Sequence, residues 1–321
     1  MVLKFRWGNI RTQKIIVGVT FMAIPLFLLL LFTVIPFFKM FEFSLFNMRY
    51  LGARTFVGLQ NYFEVFTRKD IFSTFYLSIY YFVATFLQLA LALTFATVLS
   101  FKLRGGGLFK GVIFFPFLVS GIAIGFIFKF FFTHGFVFDT VLGWFGLPLD
   151  SLPYWLRDTA VNNIALAGTS VWRYMGQNMV LFIGAIMSVD PNMYEAAEID
   201  GANAWHKFWY IILPSIKSIV VLNLILSVSG SISVFEPPYV ITNGTFGTST
   251  FFLTMHKLAH ENNKVGLAAA MAIVLLAIIV LVTVFQKVFF RIFIDEGKDG
   301  MTWSERRATK KRARQNGEVA R

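Results

Sequence analysis

Apolar runs alternate along this chain with short polar stretches. Ile15–Phe38, Ile71–Phe101, Gly111–Phe132, Ile164–Met187, Ile219–Phe235 and Val265–Phe290 are the runs. A helix needs roughly 17–25 mostly apolar residues to cross a bilayer core, so the pattern predicts an all-α membrane protein of six transmembrane helices. The first run is too long for a signal-peptide core and lacks a small-residue cleavage site, which predicts a retained span. Between the spans the chain turns polar. Residues 39–70 have strand- and turn-like pieces, Lys102 and Arg104 with Gly105–Gly107 make a short basic turn, and a loop runs through Asp158. Pro237-Pro238 and Asn243-Gly244 mark a last loop. The expected layout is an N-tail 1–14, a six-span region 15–290 and a basic C-tail 291–321.

One polar stretch is helical in grammar. Over 190–214, Asp190 is placed to cap a helix with Pro191 at its first position, and Glu195 and Glu198 complement that helix's dipole. Gly201 breaks the run and Asn203 offers a new cap. Trp205, Phe208, Trp209 and Ile212 then recur at helical spacing until Pro214. By periodicity alone this is a helical elbow, or equally an amphipathic loop lying on the lipid surface.

Composition agrees with the pattern. The chain is 57% hydrophobic and 18% aromatic but only 14% charged, well below the quarter that soluble domains carry. Forty phenylalanines suit lipid-facing helices, and the absence of cysteine excludes disulfides and thiolate metal sites. The net charge of +12 is concentrated in tails beside apolar runs; that points to membrane lipid rather than nucleic acid. If both termini, the 102–110 turn and the elbow share one side, that side holds 19 of the 29 Lys and Arg residues. The positive-inside tendency then makes it the cytoplasmic side.

The elbow also carries a resemblance. Glu195-Ala196-Ala197, three residues, Gly201, nine residues and Ile211-x-Leu213-Pro214 match the "EAA" signature of ABC importer permeases. The form EAAEIDGA, with an aromatic-rich helix after it, resembles the carbohydrate-uptake branch (maltose and glycerol-phosphate type). Phe56-Val57-Gly58-Leu59-Gln60-Asn61-Tyr62 and Gly266-Leu267-Ala268-Ala269-Ala270 are similar to further segments of that family. The resemblance implies a type I importer permease in a bacterial cytoplasmic membrane, multi-pass, with both termini cytoplasmic. It implies a heterodimer with a second permease, two cytoplasmic ATP-binding subunits that use ATP and Mg, and an extracytoplasmic solute-binding protein delivering an oligosaccharide. The elbow would be the coupling helix that seats in the ATPase, through Glu195, Ala196, Ala197, Asp200, Gly201, Leu213 and Pro214. Transport would proceed by alternating access. This chain itself holds no nucleotide-binding pattern and no cofactor site.

Two spans carry polar stripes. Ser170, Arg173, Tyr174 and Gln177 fall at i, i+3, i+4 and i+7 of the fourth span, and Ser227 and Ser231 lie one turn apart in the fifth, with Ser229 and Ser233 on an adjacent face. An arginine at membrane depth faces a water-filled path or a partner. Counted from the EAA motif, Ser170, Arg173, Tyr174, Gln177, Ser227 and Ser231 fall where the resembled permease holds its sugar. The residue types differ, which implies a different glycan. Arg173 suits a ligand carboxylate, as in a uronate-bearing oligosaccharide, or pairs with Glu236 or a partner subunit. The serines equally suit bonds to their own helix carbonyls.

Trp172 and Tyr174 are candidates for stacking on sugar rings, whereas Trp144, Tyr154 and Trp155 read as an interfacial belt. His256 and His260 lack a third ligand and an H-E-x-x-H frame, so no metal site is expected. No catalytic arrangement stands out. Two other classes remain open from sequence: an ion-coupled secondary transporter, which calls for carboxylates within its spans, and a membrane glycosyltransferase, which calls for acid, base or metal clusters.

Overall fold

The structure, a computed structural model, describes residues 10–101 and 103–293. The expected tails therefore lie largely outside the described residues, as does Lys102. Helix α1 (Ile10–Leu29) passes through a π-helical turn, Leu30–Val34, into α2 (Ile35–Ser44). Strands β1 (Phe46–Asn47) and β2 (Thr55–Phe56) pair antiparallel, with Phe46 opposite Phe56. There follow α3 (Gln60–Thr67), α4 (Lys69–Phe72), α5 (Ser78–Ser100), α6 (Gly106–Leu118), α7 (Gly121–Phe131) and α8 (Val137–Trp144). The longest central helix is α9 (Asn162–Met187). After it come α10 (Pro191–Ile199), α11 (Ala204–Lys207), a π turn Phe208–Ile212 and α12 (Leu213–Ile232). A further π turn, Pro238–Thr242, precedes α13 (Phe251–His260) and α14 (Val265–Phe293).

Among the described residues four helices are long and apolar enough to cross a membrane: Ile16–Ser44, Lys69–Ser100, Ala204–Ile232 and Val265–Ile292. The pair α6 and α7 makes a fifth if counted as one span, but it is bent by 99°. The straight span expected over Gly111–Phe132 is thus broken. Pro116 lacks the N–H that would bond the carbonyl four residues back, which weakens the last turn, and the chain leaves the helix at Val119, which is extended (φ −78°, ψ 140°). Helix α9 is 26 residues long yet falls outside this set, because its polar stripe lowers its mean hydropathy.

The chain divides into two units. In the first, Met1–Thr67 with Met255–Val274, the FVGLxNY string has a folding role. The buried Asn61 amide donates to the carbonyls of Ser44 (2.8 Å) and Phe46 (3.0 Å), while the Tyr62 hydroxyl meets Ser44 Oγ at 2.6 Å. The start of α14 closes on the same place. Val265 N–H donates to Met48 O at 3.1 Å, and a Cβ on Gly266 would overlap the Phe46 carbonyl. The His256 and His260 rings lie with centroids 4.6 Å apart and planes tilted by 50°, and the Tyr50 hydroxyl lies 2.9 Å from His260 Nδ1. Burial and then the neighbouring His260 hold the His256 imidazole below its ordinary range. No trio of metal-ligating side chains occurs among the described residues.

The second unit, Arg68–Thr254 with Leu275–Arg321, is built on α5 packed along α9. Ala92 and Ala96 of α5 are fully buried one turn apart, and such small residues let helix backbones approach where no water drives association. Leu89, Leu99, Met179, Phe182 and Ile183 fill in around them, with Ile212 and Ile216 closing the cluster. Gly176 lets α9 lie directly on α6, since a Cβ there would overlap the Ile113 carbonyl.

Pro214 does not end a helix as its sequence position suggests. The helix runs unbroken from Ala204 to Ile232, so the expected start of the fifth span at Ile219 is too late. A proline ring clashes with the carbonyl four residues back, here Tyr210. That carbonyl lies within the π turn, whose wider coil makes room. The same device precedes Pro36, which is why the first helix continues past Phe38 to Ser44.

Candidate functional site

Two features stand out along α9, one at its C-terminal end and one at its middle. At the end is the elbow. Asp190 caps α10 by accepting from Asn192 N–H at 3.0 Å, with Pro191 at the first helical position. Asn203 caps α11 by accepting from His206 N–H at 2.9 Å. Caps of this kind contribute about 1 kcal/mol each. Between them Gly201 takes φ +77°, which a residue with a Cβ rarely adopts. Lys207 Nζ reaches Glu198 Oε1 at 2.5 Å and ties the two short helices together.

Tyr194 anchors the elbow to the bundle. Its ring meets Phe101 edge-on at 5.7 Å and its hydroxyl donates to Ile186 O at 3.4 Å. Burial pushes that phenol above its ordinary range. The residues expected at the coupling surface are instead outward: Glu195, Ala196, Asp200, Gly201 and Pro214 are exposed, and Ala197 and Leu213 half-buried. Ile199 is 87% exposed on the same knuckle. The elbow thus presents an apolar and acidic surface with nothing of its own chain covering it among the described residues.

At mid-height is a cavity of about 580 Å³. All six residues read from the sequence as a sugar path line it: Ser170, Arg173, Tyr174 and Gln177 from α9, and Ser227 and Ser231 from α12. Arg173 is paired with Glu236 through Nη1, the intramolecular alternative among those open from sequence. Its guanidinium also lies 5.0 Å from the centroid of the Tyr174 ring. The carboxylate leaves the cavity close to charge-neutral.

Several polar atoms on the wall have no protein partner: Ser170 Oγ, Arg173 Nε, Tyr81 OH and the Asn223 amide nitrogen, all buried. A buried polar group without a partner costs about 1–3 kcal/mol. Four such atoms belong to residues that line this one cavity.

Tyr81, Thr85 and Gln88 of α5 form a third wall that the sequence reading missed. They fall at i, i+4 and i+7 of an apolar helix, the same signal that singled out α9. Asn223 was also missed. Trp172, in contrast, packs edge-on against Phe128 at 5.2 Å and lies outside the cavity. Nor is Trp155 a free belt residue, because its indole donates to the buried Asp139 at 2.6 Å; Trp144 remains 78% exposed.

Polar cavity and exposed elbow on one apolar bundle are the parts of a transport subunit, and residues 88–293 match a known family, described as binding-protein-dependent transport system inner membrane component. The chain belongs to that family. This permease is 31% identical over 233 residues to the osmoprotective compounds uptake permease protein GgtC of Synechocystis sp., covering 71% of this chain and 83% of that one. It is 32% identical over 254 residues to the arabinooligosaccharides transport system permease protein AraP of Bacillus subtilis, covering 77% and 80%. Its fold is similar to a chain of a bacterial alginate ABC transporter solved in complex with alginate pentasaccharide-bound periplasmic protein. That likeness has a TM-score of 0.74 and 19% identity, and covers 89% of this chain and 97% of the other. The all-α membrane fold of type I ABC importer permeases is thus this chain's fold, and its family is one of transport subunits.

Proposed function

We propose that this permease passes an oligosaccharide from an extracytoplasmic binding protein across the cytoplasmic membrane by alternating access, driven by ATP hydrolysed on separate subunits. The observation that carries the reading is the mid-height cavity, where unpartnered hydroxyl, amide and guanidinium groups are held between otherwise apolar helices. Sugars offer many hydroxyls, each able to donate and accept, which matches such a wall better than an apolar or a simple ionic cargo would. Relatives named for oligosaccharide transport support the same class.

The elbow then serves as the coupling helix. Glu195, Ala196, Ala197, Asp200 and Gly201 face a cleft of one of two ATP-binding subunits, which bind ATP and Mg, and Leu213 and Pro214 lead that surface into α12. A second, similar permease completes the translocation path. Both termini and the elbow lie on the cytoplasmic side, in agreement with the Lys and Arg distribution. The six-span region 15–290, flanked by the tails 1–14 and 291–321, counts α9 and the bent α6–α7 pair as spans that a protein environment tolerates in the membrane. With Arg173 paired to Glu236, the cavity wall holds a cation and an anion together.

Co-purification tests this directly. A tagged wild-type chain is expected to bring down an ATPase and a second permease. Glu195→Ala combined with Gly201→Val is expected to lose the ATPase and keep the permease, since valine is strained at φ +77°. Wild-type protein that transports sugar with no ATPase present would overturn the reading.

A further inference from the structure

Beyond the mid-height cavity the second unit holds another, of about 480 Å³. It is bounded by the C-terminal end of α7, the loop leading into α9 and the π turn Pro238–Thr242 with the residues after it. Because α9 extends about 39 Å at 1.5 Å per residue, this pocket and the elbow lie toward opposite ends of that helix. The π turn joins the two linings along the chain: Glu236 and Pro237 line the first cavity, Val240 to Asn243 this one.

Its walls differ in chemistry from the first cavity. Lys129 and Arg157 line it, both exposed, and neither has an ion-pair partner among the described residues. Arg157 rests over the Phe246 ring at 5.9 Å. Tyr154, 55% exposed, lies against His134 with ring centroids 4.3 Å apart and the planes tilted by 31°. The nearest buried carboxylate does not offset these cations. Asp139 is 4% exposed, and accepts from Gly135 N–H and from Trp155 Nε1–H, both at 2.6 Å, with His134 Nδ1 at 3.1 Å. Asp158 accepts from Ala160 N–H at 2.9 Å; it does not line this pocket but borders an adjoining hollow together with Tyr154 and Arg157.

Two unpaired cations beside a polar-edged aromatic face form a recognition set for a ring that carries a carboxylate. We propose that this pocket is an outer subsite for an anionic sugar unit, a uronate residue of an oligosaccharide, which it holds before the unit passes the π turn into the main cavity. The proposal rests on the importer reading and adds the charge of its cargo. Inside, the sugar carboxylate would compete with Glu236 for Arg173, so the pair that neutralises the main cavity would accommodate an acidic unit by exchange.

The test uses the assembled transporter in lipid nanodiscs, without binding protein or ATP. Calorimetry compares a uronate trisaccharide with the same trisaccharide after carboxyl reduction, for wild type and Lys129→Gln/Arg157→Gln. The double variant is expected to weaken the uronate trisaccharide about tenfold, the scale of one lost charge-assisted contact. The reduced sugar should change less than twofold, and wild-type affinity for the acidic sugar should fall with added salt. Equal effects on the two sugars, no effect on either, or no uronate binding by wild type overturn the subsite. So does a variant that retains uronate affinity but loses docking of the sugar-free binding protein, which assigns the pocket to a protein side chain. Import by wild-type proteoliposomes with the partner subunits, binding protein and ATP is measured separately. Failure to import either sugar overturns the importer reading, whereas the calorimetric comparison bears on the pocket alone.

Discussion

Helices α9 and α12 face each other across the same cavity with similar complements of polar residues, and they use them differently. On α12, Ser229 Oγ donates to Ile225 O at 2.9 Å, Ser231 Oγ to Val228 O at 2.7 Å and Ser233 Oγ to Ser229 O at 3.1 Å. Their donors are satisfied by the helix that bears them. On α9, Ser170 Oγ and Arg173 Nε have no partner, and the remaining guanidinium contact reaches across to Glu236. At Ser231 and Ser233 the α12 wall is therefore chemically closed, while Ser170 and Arg173 on the other keep unmade bonds. Asn223, with its amide nitrogen unpartnered, and Ser227, whose hydroxyl makes no hydrogen bond among the described residues, are the exceptions on α12. Residue type alone does not make a binding wall; what decides is whether the group's hydrogen bonds are already made.

The largest effect should follow from breaking the link between the walls. Arg173→Ala leaves Glu236 without its cation, and because that carboxylate is 42% exposed the stability loss should be about 1–3 kcal/mol rather than the full value for a buried charge. Transport should fall at least tenfold, and Arg173→Ala/Glu236→Ala should recover most of the lost melting temperature. A double variant no more stable than the single would remove the pair from the account.

A smaller effect should distinguish open from closed groups. Ser170→Ala and Asn223→Leu each delete an atom that only cargo or water can satisfy, and sugar affinity should drop about five- to tenfold, the worth of roughly one hydrogen bond. Binding measurements on the assembled transporter decide it. The smallest belongs to the closed wall: Ser231→Ala should change affinity by less than about twofold, since its hydroxyl bonds only its own helix. A tenfold loss there would erase the distinction between the walls.

Much of this site could be read from residue order because a polar side chain on an apolar helix is conspicuous, and Ser170, Arg173, Tyr174 and Gln177 share one face at the helical period. The α5 wall carried the same period, yet Tyr81, Thr85 and Gln88 are individually ordinary in a membrane helix, and no charge drew attention to them. The caps of the elbow were legible from local chemistry alone, as Asp190 and Asn203 bond donors two and three residues away. What local chemistry does not encode is how a backbone accommodates a proline. Pro214 reads as a stop, and only the π turn before it reveals that the helix continues. Conversely, the sharp bend after Leu118 interrupts what hydropathy presents as one uniform run.

The unbroken helix from Ala204 to Ile232 has a mechanical consequence. Between Trp205 and Ser231 it measures about 39 Å at 1.5 Å per residue, so it acts as a stiff lever with one arm in the elbow and the other beside the cavity. A tilt of only ~5° about the elbow end would carry Ser231 sideways by about 3 Å at that length, roughly the width of a water molecule. A small stroke at the surface suffices to reshape the chamber. The π turn at Phe208–Ile212 sits on this rod next to its elbow end.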